Sequence, residues 1–336
     1  MSEFHVRVVR ISGVERHPNA DRLSITQVDG GYPVIFQTED FNEGDLAVYV
    51  PIDSVVPELP EWEFLRGHRR IKAKKLRGIF SMGLLAPLPA LKLPRCGLAW
   101  AEGMDAQVEM GIVRYEAPMR TLIVYSDNEP DPGFFPRYSD LEGLRKCKDV
   151  LELNEPVVLT EKIHGANARF AWHEGRLWVG SHNHFKKRPV PGAPVDIWWR
   201  AAAESFLEEK LATMPGVGFY GEVYGRVQDL NYGVVDGVEV RFFDAIDLQT
   251  GRYYDYQEFL LACIRLGLYV VPALYTGPWL GFDGMKKFAE GTSTLNGASH
   301  VREGFVVRSV VERFDRRCGR VALKLHGEGY MLRKEA

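Results

Sequence analysis

The sequence predicts an α+β protein in two parts, and three observations carry that expectation. The chain has 336 residues, more than the roughly 100–200 of a usual single domain. Short alternating apolar segments broken by turn residues fill residues 4–110, whereas beyond 137 strand patterns mix with helical ones. Between them, Ser126-Asp127-Asn128-Glu129-Pro130-Asp131-Pro132-Gly133 is rich in turn formers and poor in apolar residues. This places a linker at 116–136, between a module at 1–115 and a second domain at 137–336.

In the first part, Phe4–Ile11 alternates roughly and Leu23–Val28 cleanly. Asp29-Gly30-Gly31 is a hairpin signal before Tyr32–Phe36, and Leu46–Val50 adds another strand. Short strands at this spacing suggest a small closed barrel. His17-Pro18-Asn19-Ala20-Asp21-Arg22-Leu23 resembles the first loop of the tRNA-binding OB modules attached to some aminoacyl-tRNA synthetases, and that resemblance implies an OB fold.

A basic run follows, with Arg66, His68, Arg69, Arg70, Lys72, Lys74, Lys75 and Arg77. The formal net charge of the chain is −3, so it is no uniform polycation, and a nucleic-acid surface must be a local patch. A one-signed run with aromatic flanks suits phosphate-backbone contact through Arg69, Arg70, Lys72, Lys74, Lys75 and Arg77; a solvated charged face is the plainer reading. Trp62, Phe64 and Phe80 are equally suited to stacking on bases or to the core. Cys96, Cys147, Cys263 and Cys318 are widely spaced, which excludes a Cys-x-x-Cys zinc site and an obvious disulfide framework and suggests reduced thiols. There is no signal-peptide pattern and no run near the roughly 18 apolar residues of a membrane span. The expectation is a cytoplasmic protein with no membrane and no obligate protein partner.

In the second part, Pro156-Val157-Val158-Leu159 reads as a buried strand that runs into Thr160-Glu161-Lys162-Ile163-His164-Gly165-Ala166-Asn167. Lys162 thus stands where strand gives way to glycine, a place for a nucleophile. An amine attacks phosphorus as the free base, so it needs a depressed pKa, which burial or a nearby cation supplies. Alone, the pattern also fits a surface lysine in a strand-to-turn connection. Ala168–Trp172 and Arg176–Gly180 flank a His173-Glu174-Gly175 turn. Asp196–Met214 and Asp255–Leu266 read as helices, the latter with the Asp255/Glu258 spacing of a capping box and Gly267 at its end.

The Lys-x-His-Gly-x-Asn pattern closely resembles motif I of the RNA ligase branch of the covalent nucleotidyltransferases. Four more segments resemble later motifs in the family's order: Phe219–Gly225, Val240–Asp247, Arg302–Arg308 and Val321–Leu325. Singly, each is an ordinary strand. Together they span Lys162 to Lys324, and with the module placed first and the Leu323–Tyr330 ending they resemble the ATP-dependent RNA ligase family typified by a Deinococcus radiodurans enzyme. The resemblance implies an N-terminal OB-type barrel followed by an ATP-grasp-like nucleotidyltransferase domain of antiparallel sheets flanked by helices. It also implies that no further domain follows the last motif.

The same resemblance implies an enzyme that uses ATP and Mg²⁺ or Mn²⁺ to seal 3′-OH/5′-phosphate nicks in duplex RNA or RNA/DNA, with RNA on the 3′-hydroxyl side. A ligase preferring DNA or hybrids and a non-catalytic tRNA- or RNA-binding OB protein are the alternatives. By that resemblance Lys162 carries AMP, with Glu303 and Lys324 completing the catalytic set. Glu161, Asn167, Glu222, Phe243 and Lys324 join Lys162 around the nucleotide, and Glu303 and Asp244 hold the metal. His326 stands where many relatives have a second lysine, and Ser181–Arg188 is a basic segment suited to phosphates or to solvent.

Overall fold

The computed structural model describes residues 4–89, 99–116 and 127–333. The described residues of 4–116, with Met331–Arg333, form one compact unit, and those of 127–330 form another. Cys96 and linker residues 117–126 lie outside the described residues.

In the first unit the alternation of the sequence becomes strands at Arg7–Arg10, Leu23–Val28, Tyr32–Gln37 and Leu46–Val50. Asp29, Gly30 and Gly31 all take positive φ, which closes the hairpin between Leu23–Val28 and Tyr32–Gln37. The expected closed barrel is not seen as one ring among the described residues. The strands instead form small sheets, of which Arg7–Arg10, Leu46–Val50 and Leu84–Ala86 make one and Glu15–Arg16, Leu23–Val28 and Tyr32–Gln37 another. Val8, Val48, Val50, Trp62 and Ile71 fill one core, and Val28, Val34, Phe36 and Tyr49 fill a second.

The second unit is built on two sheets. One has six strands, ordered Asn128–Glu129, Phe185–Lys186, Arg176–Ser181, Ala166–His173, Val217–Gly225, Val238–Asp247, with antiparallel neighbours throughout. The other has five, ordered Glu142–Gly143, Ala322–His326, Gly304–Ser309, Pro156–Lys162, Ala273–Pro278. Asn128–Glu129 is therefore a strand of this unit and not linker: Glu129 also takes a bidentate ion pair from Arg176.

Helices cover the six-stranded sheet. Tyr256–Leu266 is capped as expected, with Asp255 N–H donating to Glu258 at 2.9 Å and Gly267 at φ 59°. The segment 196–214 forms two helices, Ile197–Glu204 and Leu207–Ala212, because Phe206 turns left-handed at φ 54°. That break lets Leu207 and Leu211 enter the core that holds Ile197, Trp198 and Ala201. Among the described residues no helix is long and apolar enough to cross a membrane.

Candidate active site

Alternation along the five-stranded sheet sets up the site. Leu159, Phe305, Val307, Leu323 and Leu325 point to one face and fill an apolar core. The opposite face carries Thr160 and Lys162, Val306, and Lys324 and His326, since Lys162 pairs with Gly304 and Gly304 with His326. The chain then leaves this sheet after Lys162 and enters the six-stranded one at Ala166, so Ile163-His164-Gly165 is the crossing between sheets. A Cβ on Gly165 would lie 2.2 Å from the Val223 carbonyl oxygen, so the crossing admits only glycine.

At the crossing, Lys162 Nζ donates to Glu303 Oε1 at 2.7 Å. Glu303 is buried, and its Oε2 has no partner among the described residues. Gly304, at φ 150°, lets the strand pass Leu325 closely, since a Cβ there would meet the Leu325 oxygen at 2.0 Å. Glu222 accepts from the Gly165 N–H at 3.1 Å and stands directly across the sheet from Asn167, whose buried Oδ1 is also unpartnered.

The electrostatics follow from crowding carboxylates around one amine. Burial alone would lower the Lys162 pKa, but Glu303 and Glu222 outweigh it and raise it. The depressed pKa expected from the sequence is therefore not a property of the protein by itself. Burial and the nearby charge of Glu303 push Glu222 up to about 8 against the opposing pull of Lys162. Burial would raise Glu303 too, yet Lys162 and His326 bring it well below the usual carboxylate range. His326 Nε2 lies 3.5 Å from Glu303 Oε1; burial lowers its pKa despite that carboxylate, with Lys162 and Lys324 pulling the same way.

Other predicted residues fall into two groups. Lys324 shares the open face, two residues before His326. Phe243 is the extra residue of a bulge, since Tyr220 pairs with Asp244 but Gly221 with Phe242. The bulge breaks the alternation and leaves Phe243 half-buried, edge-on to Tyr138 at 4.9 Å. Glu161, by contrast, alternates away from Lys162, and its Oε2 accepts from the Thr294 N–H at 2.8 Å and hydroxyl at 2.6 Å. Its carboxylate braces the strand, and no hydrogen bond of the described residues joins it to the Lys162 cluster.

Asp244 is a clear correction. The expected metal ligand is fully buried, with Oδ1 accepting from Arg308 at 2.9 Å and Oδ2 accepting from Tyr138 at 2.9 Å and pairing with Arg320 at 2.7 Å. Burial would raise its pKa, but the two guanidinium groups lower it. Both oxygens are spent on structure. Arg308 also lies four positions beyond Gly304 on one strand, about 13 Å away at the usual rise.

The basic run divides as well. Arg69 is paired with Glu58 at 2.9 Å and Arg70 with Asp53 at 2.7 Å, and Arg70 also lies over the Tyr115 ring. Lys72, Lys74, Lys75 and Arg77 are exposed, with Arg77 reaching the Asn19 carbonyl at 3.3 Å. Trp62 and Phe80 are core, whereas Phe64 is 60% exposed. In the 181–188 segment the cations are also engaged: Lys186 with Asn128, Lys187 with Asp127, Arg188 with Glu208.

Sequence reasoning missed Asp229, Tyr232 and the part played by Tyr330. His164 Nε2 lies 2.8 Å from Asp229 Oδ1, its Nδ1 lies 3.0 Å from the Tyr330 hydroxyl, and its N–H donates to the Tyr232 hydroxyl at 2.6 Å. These partners stand far from His164 in sequence and belong to no local pattern, so only the fold reveals them.

Comparisons with known proteins bear on the fold and the family. An OB-fold domain model matches residues 5–88. Structures of Naegleria gruberi RNA ligase share the fold: a variant with ATP and Mn has TM-score 0.79 at 19% identity, covering 98% of each chain. The same ligase with pyrophosphate has TM-score 0.78 at 20% identity, covering 97% of each. Among curated proteins, the phenylalanine–tRNA ligase β subunit of Anaeromyxobacter dehalogenans is 40% identical over 92 residues, 26% of this chain and 10% of that protein. That of Neisseria gonorrhoeae is 36% identical over 122 residues, 35% of this chain and 13% of that protein. The chain thus spans about a tenth of the length of these curated relatives. A family model for RNA ligase matches residues 155–326, the stretch that carries Lys162, Glu222, Glu303 and Lys324, and the chain belongs to the RNA ligase family.

Proposed function

We propose that this RNA ligase is ATP-dependent and seals 3′-OH/5′-phosphate nicks in duplexes that carry RNA on the 3′-hydroxyl side. The observation that carries the reading is the Lys162–Glu303 pair at the sheet crossing, with Glu222 and Asn167 beside it and Lys324 on the same face. In the first step Lys162 Nζ attacks the α-phosphorus of ATP, an N–P bond forms and the bond to pyrophosphate breaks. Such transfer depends on positioning and charge neutralisation. Lys324 faces the α-phosphate, Glu222 and Asn167 take the ribose and the nucleotide edge, and Phe243 stacks on the base. The AMP then passes to a 5′-phosphate, and a 3′-hydroxyl displaces it.

The residues fit a divalent cation. The partnerless Glu303 Oε2 and the raised pKa of Glu222 both mark more buried carboxylate than Lys162 neutralises. Glu303 would hold Mg²⁺ or Mn²⁺, mostly through water, since among the described residues no cluster of three or more acidic, His or Cys ligands forms a cage. When bound, the ion supplies positive charge that frees the Lys162 amine of its proton and screens the phosphates. Asp244, spent on arginines, takes no part in this.

Incubation of wild type and Lys162→Ala with α-³²P-labelled ATP and Mg²⁺ or Mn²⁺ tests the first step. Acid-labile, alkali-stable label on the wild type alone is the expected result. Absence of label with either metal overturns the reading. Sealing of nicks with ribose or deoxyribose at the 3′ terminus then separates an RNA requirement from a DNA or hybrid preference.

A further inference from the structure

The basic run of the first unit does not present one surface. A cavity of about 490 Å³ opens beside it, lined by Phe64, Arg66, His68, Lys72 and Lys74 over an apolar floor of Ile35 and Leu84. Arg69, Lys75 and Arg77 do not line it. The partition follows from extended backbone: Lys72, Lys74 and Leu76 alternate to the cavity side, and Lys74 stands across from Ser81, itself a wall residue. Arg70 reaches the wall but is tied to Asp53 and Tyr115.

The cavity combines an exposed aromatic, an apolar floor and a rim of cations. Its volume lies within the usual range for small-ligand sites, about 300–1,000 Å³. A duplex keeps its bases paired and stacked, so it offers such a rim phosphates but nothing for the floor. An unpaired nucleotide offers both. We propose that this cavity takes one unpaired nucleotide of an RNA strand, its base against Phe64 and the floor and its phosphate toward Arg66, Lys72 and Lys74. The choice of RNA rests on the proposed ligase reading; the choice of an unpaired nucleotide rests on the cavity alone. An acidic peptide would satisfy the rim and leave Phe64 and the floor unused.

The test is fluorescence anisotropy at fixed salt with a labelled single-stranded uridine oligomer and a labelled blunt RNA duplex. Phe64→Ala should weaken single-strand binding about 5- to 100-fold, the effect of losing one stacked base, and change duplex binding little. Phe64→Trp should keep single-strand binding. Lys74→Glu should weaken it more than Lys75→Glu, which controls for overall charge. Equal effects of the two lysine variants, unchanged single-strand binding in Phe64→Ala, or better displacement by polyglutamate than by unlabelled oligomer would each overturn the proposal. Adenylylation of the wild type is scored in parallel, so failure of the ligase reading is told apart from failure of the cavity.

Discussion

Two buried carboxylates sit at opposite ends of the strand Gly304–Ser309, and they have opposite characters. At the Arg308 end, Asp244 meets two arginines and a tyrosine, and each oxygen has its donors. At the Gly304 end, Glu303 meets one lysine and a histidine whose pKa is lowered, and one oxygen is left over beside a second carboxylate. A balanced network specifies a structure. One short of positive charge is poised for a ligand that brings it.

Substitutions that remove charge while keeping shape sharpen this contrast. The largest effect is expected at the balanced end. Asp244→Asn removes the fully buried carboxylate between Arg308 and Arg320 and leaves them, among the described residues, only Glu312, which pairs with Arg320 at 2.6 Å and Arg308 at 3.9 Å; breaking such a buried pair costs about 3–5 kcal/mol. Thermal unfolding of the nucleotide-free protein should show it as a large fall in Tm. A normal Tm with lost adenylylation would make Asp244 a ligand after all. The sign with pH is defined: the folded pKa lies below the ordinary 3.8, so this stabilisation is present above that value and is lost as pH falls through the depressed pKa. Asp244→Asn should lack that acid-side loss.

At the unbalanced end the order reverses. Glu303→Gln should cut the initial rate of label incorporation about a hundredfold while the Tm stays within a few degrees, as for loss of a metal-supporting group. Similar rates with a collapsed Tm would make Glu303 structural and erase the contrast. The smallest effect is expected at the rim of the site, where Tyr330→Phe removes the hydroxyl 3.0 Å from His164 Nδ1. A hydrogen bond of this kind contributes about 1 kcal/mol, so adenylylation should fall only several-fold. A larger loss would place Tyr330 among the groups that meet the nucleotide.

Legibility in the sequence followed the range of the interaction. Lys162, Glu222 and Lys324 lie inside contiguous strand patterns and Glu303 directly before one, so motif order along the chain grouped them. Asp244 sits in an equally good pattern, yet nothing near it announces Arg308 and Arg320. Arg69 and Arg70 read as part of the basic run because Glu58 and Asp53, which pair with them, stand 11 and 17 residues earlier in the chain. The helix expected at 196–214 was right in composition and wrong in continuity, since the core needed Leu207 and Leu211 turned inward.

The sequence by itself determined the strand-rich first module, and the order of its motifs pointed to the RNA ligase family and to Lys162 as the candidate nucleophile, because turn chemistry, periodicity and motif order are local properties of the chain. The tertiary structure decided which charges cancel. It tied Asp244 to two arginines, left Glu303 short of a partner, raised the Lys162 pKa and turned alternate residues of the basic run toward a cavity. Electrostatic balance depends on distance and burial, and those exist only once remote segments are brought together.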